Sequence, residues 1–258
     1  MIVTICNYKG GVAKTTTAYH LAAAAARRNV QPLLIDMDPQ ANLTRMCRAR
    51  LPDHPTVADC LGGAHNPTAT IREAKVYVSF DNLGGGYVVP AELSLENVSV
   101  GLNTRDFGRL TALTNAIQRG ANGAPLIIID TPPNAGALTL NALVASTHVL
   151  ICAEPEIDAI DGANTMIKLL DAILAERGKA PALLGILATK VDSVIGRHAD
   201  GLAMLQGPGM PPLLGEIPKR AGRDAEKALI ESYRPIADQI LAEGGLTGEG
   251  VPNARLAA

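Results

Sequence analysis

The sequence predicts an α/β protein with a doubly wound, mostly parallel sheet and helices on both faces. Seven short runs of mainly apolar and β-branched residues are spaced along the chain, and helical patterns separate most of them. The runs at 126–129 and 149–153 are apolar throughout, as strands buried on both faces of a parallel sheet are. Strands that alternate with helices in this way indicate parallel βαβ units.

The predicted elements follow from these runs and from the Ala- and Leu-rich stretches between them. Strands are expected at 2–6, 32–35, 86–89, 126–129, 149–153, 183–188 and 212–217. Helices are expected at 15–28, 105–119, 137–145, 158–177, 196–206 and 222–242. Residues 51–85 carry the weakest pattern. Because no linker-like segment divides the chain, we expect one domain over residues 1–243 and a flexible, Gly-rich tail over 244–258.

Composition excludes several classes of protein. The chain has 258 residues, of which 47% are apolar, so it can form a sizeable buried core. No apolar run approaches the roughly 20 residues that a transmembrane helix needs. The first residues, MIVTICNYKGG, indicate a strand and a loop rather than a secretory signal, and we expect a cytoplasmic protein. The four cysteines are scattered without a CxxC pair, which favours reduced thiols over a metal site.

The charge balance does not favour a constitutive nucleic-acid binder. Lys and Arg number 23, Asp and Glu number 25, and the formal net charge is −2. The distribution is uneven, however, because residues 1–52 hold seven basic and only two acidic residues. A local basic face is therefore compatible with the sequence.

A segment with the properties of a phosphate-binding loop lies between the first predicted strand and the first predicted helix. It consists of Lys9, Gly10, Gly11, Val12, Ala13, Lys14, Thr15 and Thr16. The two glycines let successive backbone N–H groups face an anion, and the helix N-terminus adds its dipole. Lys14 can reach the β- and γ-phosphates, the Thr15 hydroxyl can ligate Mg²⁺, and the Thr16 hydroxyl can donate to the α-phosphate.

The residue before Lys14 departs from the usual phosphate-loop pattern, which has glycine there. This chain has Ala13. If the position requires a positive φ, alanine costs about 1–2 kcal/mol relative to glycine. We therefore expect nucleotide binding to be weaker or slower than in a loop with glycine at this position.

Two carboxylates are expected at the same edge of the sheet as the phosphate loop. Asp130 ends one apolar strand and Asp36 ends another. The carboxyl ends of parallel strands meet at one edge, where α/β proteins bind ligands. Asp36 and Asp130 are therefore predicted to lie near Mg²⁺, and Asp38 begins the loop two residues further on.

The motifs together resemble those of the ParA/MinD family of ATPases. A lysine at the loop start, as in KGGVAKTT, is similar to the deviant Walker A motif of that family. LLIDMDPQAN at 33–42 resembles its switch I segment, and LIIIDTPP at 126–133 resembles its Walker B and switch II segment. Residues 154–162 and the Ile217–Pro218 region also fall in family register. The resemblance covers about residues 1–240 and implies a P-loop NTPase fold.

The resemblance implies the roles of the site residues. Lys9 would act in trans, reaching the nucleotide of a partner subunit, so that two subunits enclose two ATP molecules with Mg²⁺. Asp38 would position or polarise the attacking water. Ile217 and Pro218 would border the nucleotide. Hydrolysis would be slow until a partner protein acts.

Among family members, the sequence favours a ParA-type partition ATPase. Such a protein forms an ATP-dependent homodimer on the nucleoid, binds double-stranded DNA non-specifically and positions a plasmid, chromosome or large cargo. A ParB-like or cargo-adaptor protein stimulates its hydrolysis. The candidate DNA contacts are the basic residues that follow the Ile217–Pro218 turn, namely Lys219, Arg220, Arg223 and Lys227, and Arg197 is a second candidate. A solvated helix face of mixed charge explains them equally well, and Arg45, Arg48 and Arg50 are alternative contacts.

Two alternatives belong to other functional classes. A MinD-like membrane ATPase would need a C-terminal amphipathic helix, whereas the tail GGLTGEGVPNARLAA is Gly-rich and lacks Trp and Phe, so no membrane partner is expected. A P-loop metabolic enzyme of the same superfamily is the other alternative. The Asp-Pro-Gln sequence at 38–40 favours the partition branch over it.

Overall fold

The computed structural model describes residues 1–247 apart from 64–65, 67, 81–82, 104–109, 122, 193–195 and 220–224, and apart from the side chains of 158–159, 197 and 225–227. Its strands are Ile2–Cys6 (β1), Pro32–Asp36 (β2), Val76–Ser79 (β3), Gly85–Val89 (β4), Leu126–Asp130 (β5), His148–Ala153 (β6), Ala182–Val191 (β7) and Leu213–Pro218 (β8). Its helices are Lys14–Arg27 (α1), Asn42–Met46 (α2), Val57–Cys60 (α3), Ile71–Ala74 (α4), Leu95–Asn103 (α5), Ala112–Gly120 (α6), Ala137–Ala145 (α7), Ile157–Arg177 (α8), Gly196–Leu205 (α9) and Ala225–Glu243 (α10).

The strands form one sheet in the order β3-β4-β2-β5-β1-β6-β7-β8. All neighbours are parallel except β3, which pairs antiparallel with β4. The chain continues from β1 to one side of the sheet and later returns to β6 on the other side. The carboxyl end of β1 is therefore at a topological switch point, where open α/β sheets bind ligands. The predicted α/β fold class is confirmed.

Two hydrophobic clusters, one on each face of the sheet, fill the space under the helices. One cluster joins residues of α1, α8 and α10 to the sheet. The other joins residues of α3 to α7. Within the first cluster the alanine-rich helix α1 lies between the sheet and α10, and its small side chains let both neighbours pack closely. Strands β1, β2 and β5 are thus fixed in the middle of a sheet covered on both sides.

The structure differs from the sequence prediction mainly between residues 40 and 103. Strand β3 and the short helices α2, α3 and α4 were not predicted, and neither was α5. The predicted helix at 105–119 corresponds to α6, which begins at Ala112; residues 104–109 lie outside the described part. Elements of four or five residues carry too few positions for a periodic pattern, so tertiary contacts decide them.

Residues 248–258 of the predicted tail lie outside the described part, and α10 ends at Glu243 as expected. Among the residues that the structure describes, no helix combines the length and the apolar character needed to cross a membrane.

Candidate active site

The loop between β1 and α1 is anchored to two neighbouring strands. The Asn7 side chain donates from Nδ2 to the Cys152 carbonyl on β6, at 2.7 Å, and accepts the Lys9 N–H at Oδ1, at 2.9 Å. The Thr189 hydroxyl on β7 donates to the Val12 carbonyl, at 3.0 Å. The loop is therefore tied at its beginning and near its end, which fixes its path over the carboxyl edge of the sheet.

Ala13 has the left-handed conformation that the sequence analysis anticipated. Its φ is 60° and its ψ is 29°, and it is the N-cap residue of α1. It provides no side-chain cap, and the first turn of α1 has no acidic residue. The first N–H groups of the helix and its dipole therefore face the loop with neither a side-chain cap nor an acidic residue of the first turn to pair with them, which is the arrangement that binds a phosphate.

The Lys14 side chain folds back over this loop. Its ammonium group donates to the Lys9 carbonyl at 3.1 Å, and the residue is buried. Burial lowers the pKa of Lys14, while the negative charge of Asp130 acts in the opposite direction. A buried ammonium group beside the N-terminus of a helix favours the binding of an anionic ligand.

Asp130, at the end of β5, holds an incompletely satisfied carboxylate. The Thr15 hydroxyl donates to its Oδ2 at 2.6 Å. Its Oδ1 is buried and has no hydrogen-bond partner among the described residues. Burial, followed by the charge of Asp36, raises the pKa of Asp130 well above its ordinary value. A buried carboxylate oxygen without a donor fits a divalent cation, and a carboxylate with a hydroxyl is a donor set that Mg²⁺ accepts.

Asp36 lies beside Asp130, because the two residues are register partners on β2 and β5. Its Oδ1 accepts the Asp38 N–H at 3.1 Å, and its Oδ2 accepts the N–H and the hydroxyl of Thr44 at 2.8 and 2.7 Å. Burial raises the pKa of Asp36 to about 6, against the effect of these hydrogen bonds. Its contacts hold the loop 37–44 onto the end of β2.

Asp38 lies within this loop and is buried. Its Oδ1 accepts the Gln40 N–H at 3.0 Å, and its carbonyl accepts the Ala41 N–H at 2.8 Å. The charges of Asp38 and Asp130 act on Lys14, and those of Asp36 and Asp38 act on Asp130. The structure thus brings Lys14, Thr15 and the three predicted carboxylates together at one edge of the sheet.

The remaining predicted residues lie further along the sheet or outside the described part. Ile217 and Pro218 end β8, and β6 and β7 separate them from β1. Lys219 follows them and is exposed, and its N–H donates to the Val191 carbonyl. Arg220 and Arg223 lie outside the described residues, and the side chains of Arg197 and Lys227 are not described.

Sequence reasoning missed residues that support the site through distant contacts. Thr44 links Asp36 to the segment that follows β4, because its hydroxyl also accepts the Ala91 N–H at 2.8 Å. Gly162 of α8 lies so close to the loop that an added Cβ would be 2.2 Å from the Asn7 Oδ1. A glycine inside a predicted helix was a usable signal of close packing, whereas nothing in the sequence pairs Thr44 with Ala91.

Comparison with known proteins agrees with this geometry. The AAA domain family matches residues 1–180. The chromosome-partitioning ATPase Soj of Thermus thermophilus is 33% identical over 193 residues, covering 74% of this chain and 69% of that protein. The sporulation initiation inhibitor protein Soj of Bacillus subtilis is 31% identical over 192 residues, covering 74% of this chain and 73% of that protein. The chain belongs to the ParA/MinD family of ATPases.

A solved structure resembles this ParA-family chain over nearly its whole length. Cobyrinic acid a,c-diamide synthase from Mycobacterium smegmatis, solved with a bound ATP analogue and magnesium, is 29% identical. The similarity covers 94% of each chain with a TM-score of 0.81. The order of strands around the phosphate loop is therefore that of a P-loop ATPase.

The strained Ala13 generates a prediction about stability. Replacing it with glycine removes the cost of the left-handed conformation, and we expect Ala13→Gly to stabilise the nucleotide-free protein by about 1 kcal/mol. The melting temperature would rise by about 2–4 °C in a calorimetric scan. Ala22→Gly, in the interior of α1, is the matched control and should lower it, because glycine destabilises a helix interior by about 1 kcal/mol. A lower melting temperature for Ala13→Gly would show that Ala13 carries no strain.

Proposed function

We propose that this chain is a ParA-type ATPase that uses ATP and Mg²⁺ to switch between a free form and a DNA-bound dimer. It positions a plasmid, a chromosome or a large assembly along DNA, and a partner protein releases it by stimulating hydrolysis. The proposal rests mainly on the surroundings of the Asp130 carboxylate. This carboxylate accepts a hydrogen bond from the Thr15 hydroxyl, the charge of Lys14 acts on it, and one of its buried oxygens has no partner among the described residues.

The loop residues would bind the phosphates by geometry already present in the protein. The N–H groups at the start of α1 and the Lys14 ammonium provide positive charge toward the β- and γ-phosphates. The Thr15 hydroxyl and the free oxygen of Asp130 would hold Mg²⁺, with Asp36 nearby. When bound, Mg²⁺ neutralises phosphate charge and fixes the phosphate geometry.

Asp38 is proposed to orient the water that attacks the γ-phosphate. It begins the loop whose far end Asp36 and Thr44 hold against β2, so its position is set by a buried hydrogen-bond network. Phosphoryl transfer needs positioning and charge neutralisation more than covalent chemistry. The hydrogen bond that the Gln40 N–H donates to Asp38 Oδ1 holds the carboxylate within the loop. Release of this bond by a partner protein would account for stimulated turnover.

Lys9 is proposed to act on the nucleotide of a second copy of the chain. It lies at the outer start of the loop and its side chain is about one-third exposed, whereas the Lys14 ammonium already faces the loop of its own subunit. A second cation contributed across the interface would stabilise a dimer only while the γ-phosphate is present. The dimer would then form with ATP bound and dissociate after hydrolysis to ADP.

The DNA-binding surface is proposed around residues 219–227, with Lys219, Arg220, Arg223 and Lys227, and with Arg197 as a further contact. Lys219 is exposed directly after β8, and its backbone is fixed by the bond to Val191. Lysine and arginine contacts to phosphates give sequence-independent, salt-sensitive binding. In the cell such a protein would be associated with the nucleoid. Residues 1–243 are proposed to act as a single ATPase domain, with Ile217 and Pro218 bordering the nucleotide.

A second candidate function is that of a metabolic enzyme of the same superfamily. The similarity to cobyrinic acid a,c-diamide synthase favours it. A cavity of about 900 Å³ beside the loop 37–44, with Gln40, Thr44, Arg50 and Pro90 in its wall, would hold the substrate. DNA binding separates the two candidates, because only the partition ATPase requires it.

The first prediction concerns nucleotide binding. Lys14→Ala removes a charge-assisted hydrogen bond to phosphate of about 1.5–3 kcal/mol, so we expect ATP affinity to fall about 10- to 150-fold in a titration with fluorescent ATP. Lys179→Ala, an exposed lysine after α8, is the control and should bind like the wild type. Unchanged affinity in Lys14→Ala would place the phosphates elsewhere.

The second prediction concerns hydrolysis. Asp38→Ala should still bind ATP and dimerise but hydrolyse it about 100-fold more slowly, because the water-positioning carboxylate is gone. The measurement is phosphate release together with the lifetime of the ATP dimer in light scattering. Asp171→Ala, at an exposed position of α8, should keep wild-type turnover. Normal turnover in Asp38→Ala would remove Asp38 from the mechanism.

The third prediction tests the proposed function as a whole. Binding to random-sequence double-stranded DNA is measured with ATP, with ADP and without nucleotide, over a salt series. We expect binding with ATP only, weakening linearly on a log–log salt plot. Lys219→Glu should weaken it, while Lys179→Glu should not. A protein that binds ATP but not DNA would favour the metabolic enzyme.

A further inference from the structure

A network of ionic and polar contacts outside the phosphate site ends on Lys9. The Lys9 ammonium lies 3.6 Å from Glu156 Oε2, with about 30% of each side chain exposed. The other oxygen of the same carboxylate, Oε1, lies 3.9 Å from the Nε2 of His198. Glu156 therefore faces two groups at once, one on the phosphate loop and one on α9.

Packing fixes the position of Glu156 from both sides. Glu156 is the N-cap residue of α8, and further along that helix Gly162 lies against Asn7 at a distance that leaves no room for a side chain. Gly201 of α9 similarly approaches Pro155, where an added Cβ would be 2.2 Å from the Pro155 carbonyl oxygen. These two close contacts hold the start of α8 between the phosphate loop and α9, so the carboxylate meets Lys9 without a loop having to close.

The histidine orients the carboxylate rather than completing a metal site. Glu154, Glu156 and His198 have ligand atoms within 4.8 Å of one another. The His198 Nδ1, however, accepts the Asp192 N–H at 3.1 Å. In the neutral ring the proton is then on Nε2, which points a donor at Glu156 and has no lone pair to offer a cation. His198 is almost fully buried, so this orientation is fixed.

We propose that Glu156 holds the Lys9 side chain in its own subunit through their ion pair, and that ATP-dependent dimerisation must break this pair. We call the Lys9–Glu156 pair the latch. The inference rests on the proposed function, in which Lys9 crosses to a partner's nucleotide. Lys9 cannot pair with Glu156 and reach a phosphate across the interface equally well. The γ-phosphate of the partner subunit must therefore compete with Glu156 for the ammonium. Glu156 is a positioning residue, and it sets the nucleotide concentration at which dimers form.

The sequence offers a matched control two residues away. Glu154 pairs with Lys190, also at 3.6 Å, and does not face Lys9 in the described contacts. Glu154→Gln removes the same charge from the same segment and leaves in place the Glu156 carboxylate that meets Lys9. Glu156→Asp keeps a negative charge at the N-terminus of α8 but withdraws it from Lys9, which separates the latch from an effect on the helix dipole.

The experiment measures the concentration of a non-hydrolysable ATP analogue that gives half-maximal dimer in sedimentation velocity. A partly exposed ion pair changes such an equilibrium by about twofold to fivefold. We expect Glu156→Gln and Glu156→Asp to dimerise at a correspondingly lower concentration than the wild type, and Glu154→Gln to match the wild type. The difference should shrink at high salt, because screening weakens the pair in the wild type alone.

Three results would overturn the latch. Equal midpoints for Glu156→Gln and the wild type would show that the pair does not restrain Lys9. A higher midpoint for Glu156→Gln would show that Glu156 supports the dimer instead. A wild type that binds the analogue but forms no dimer at any concentration would overturn the trans role of Lys9 and the latch with it. The wild-type sample alone identifies that failure.

Discussion

The site depends on one electrostatic constraint, the burial of carboxylates at the ends of β2 and β5. Asp36 and Asp130 lie side by side, both fully buried, with Asp38 close enough to act on each. The positive charge of Lys14 acts on Asp130 in the opposite direction to burial. Burial raises the pKa of both strand-end carboxylates, and their hydrogen bonds from Thr44 and Thr15 and the charge of Lys14 offset this effect only in part. A divalent cation bound here would balance the charge of the carboxylates, and the phosphates of a nucleotide would balance the helix N-terminus and the Lys14 ammonium.

The loop is shaped by close approaches as much as by hydrogen bonds. Gly162 lets α8 lie against Asn7, and Asn7 in turn holds the Lys9 N–H and the end of β6. Ala13 adopts a left-handed backbone that L-residues with a Cβ rarely adopt. Backbone strain at a ligand site persists where the surroundings fix the conformation, and here β1, β7 and α1 do so. The same rigid framework brings Glu156 to Lys9.

The sequence was informative wherever a residue's role depends on its immediate neighbours. Lys14 and Thr15 follow a strand and open a helix, and Asp36 and Asp130 end apolar strands. Their meeting at one edge therefore followed from the parallel arrangement of the strands. The sequence was least informative at 40–103, where β3 and the short helices α2, α3 and α4 depend on contacts with distant strands. The contact of Thr44 with Ala91 could not be predicted for the same reason, because 47 positions separate the two residues.

By itself, the sequence determined the fold class, the position of the phosphate loop and the edge of the sheet at which the three carboxylates lie. Each of these follows from a local pattern, in which an apolar run is followed by glycine, lysine, threonine or aspartate. Only the tertiary structure decided which oxygen of Asp130 lacks a partner, that Asp36 holds the loop 37–44, and that Lys9 rests against Glu156. These are contacts between side chains that different strands and helices carry. Their distances depend on how α8 and α9 pack on the sheet, and no spacing along the chain encodes that packing.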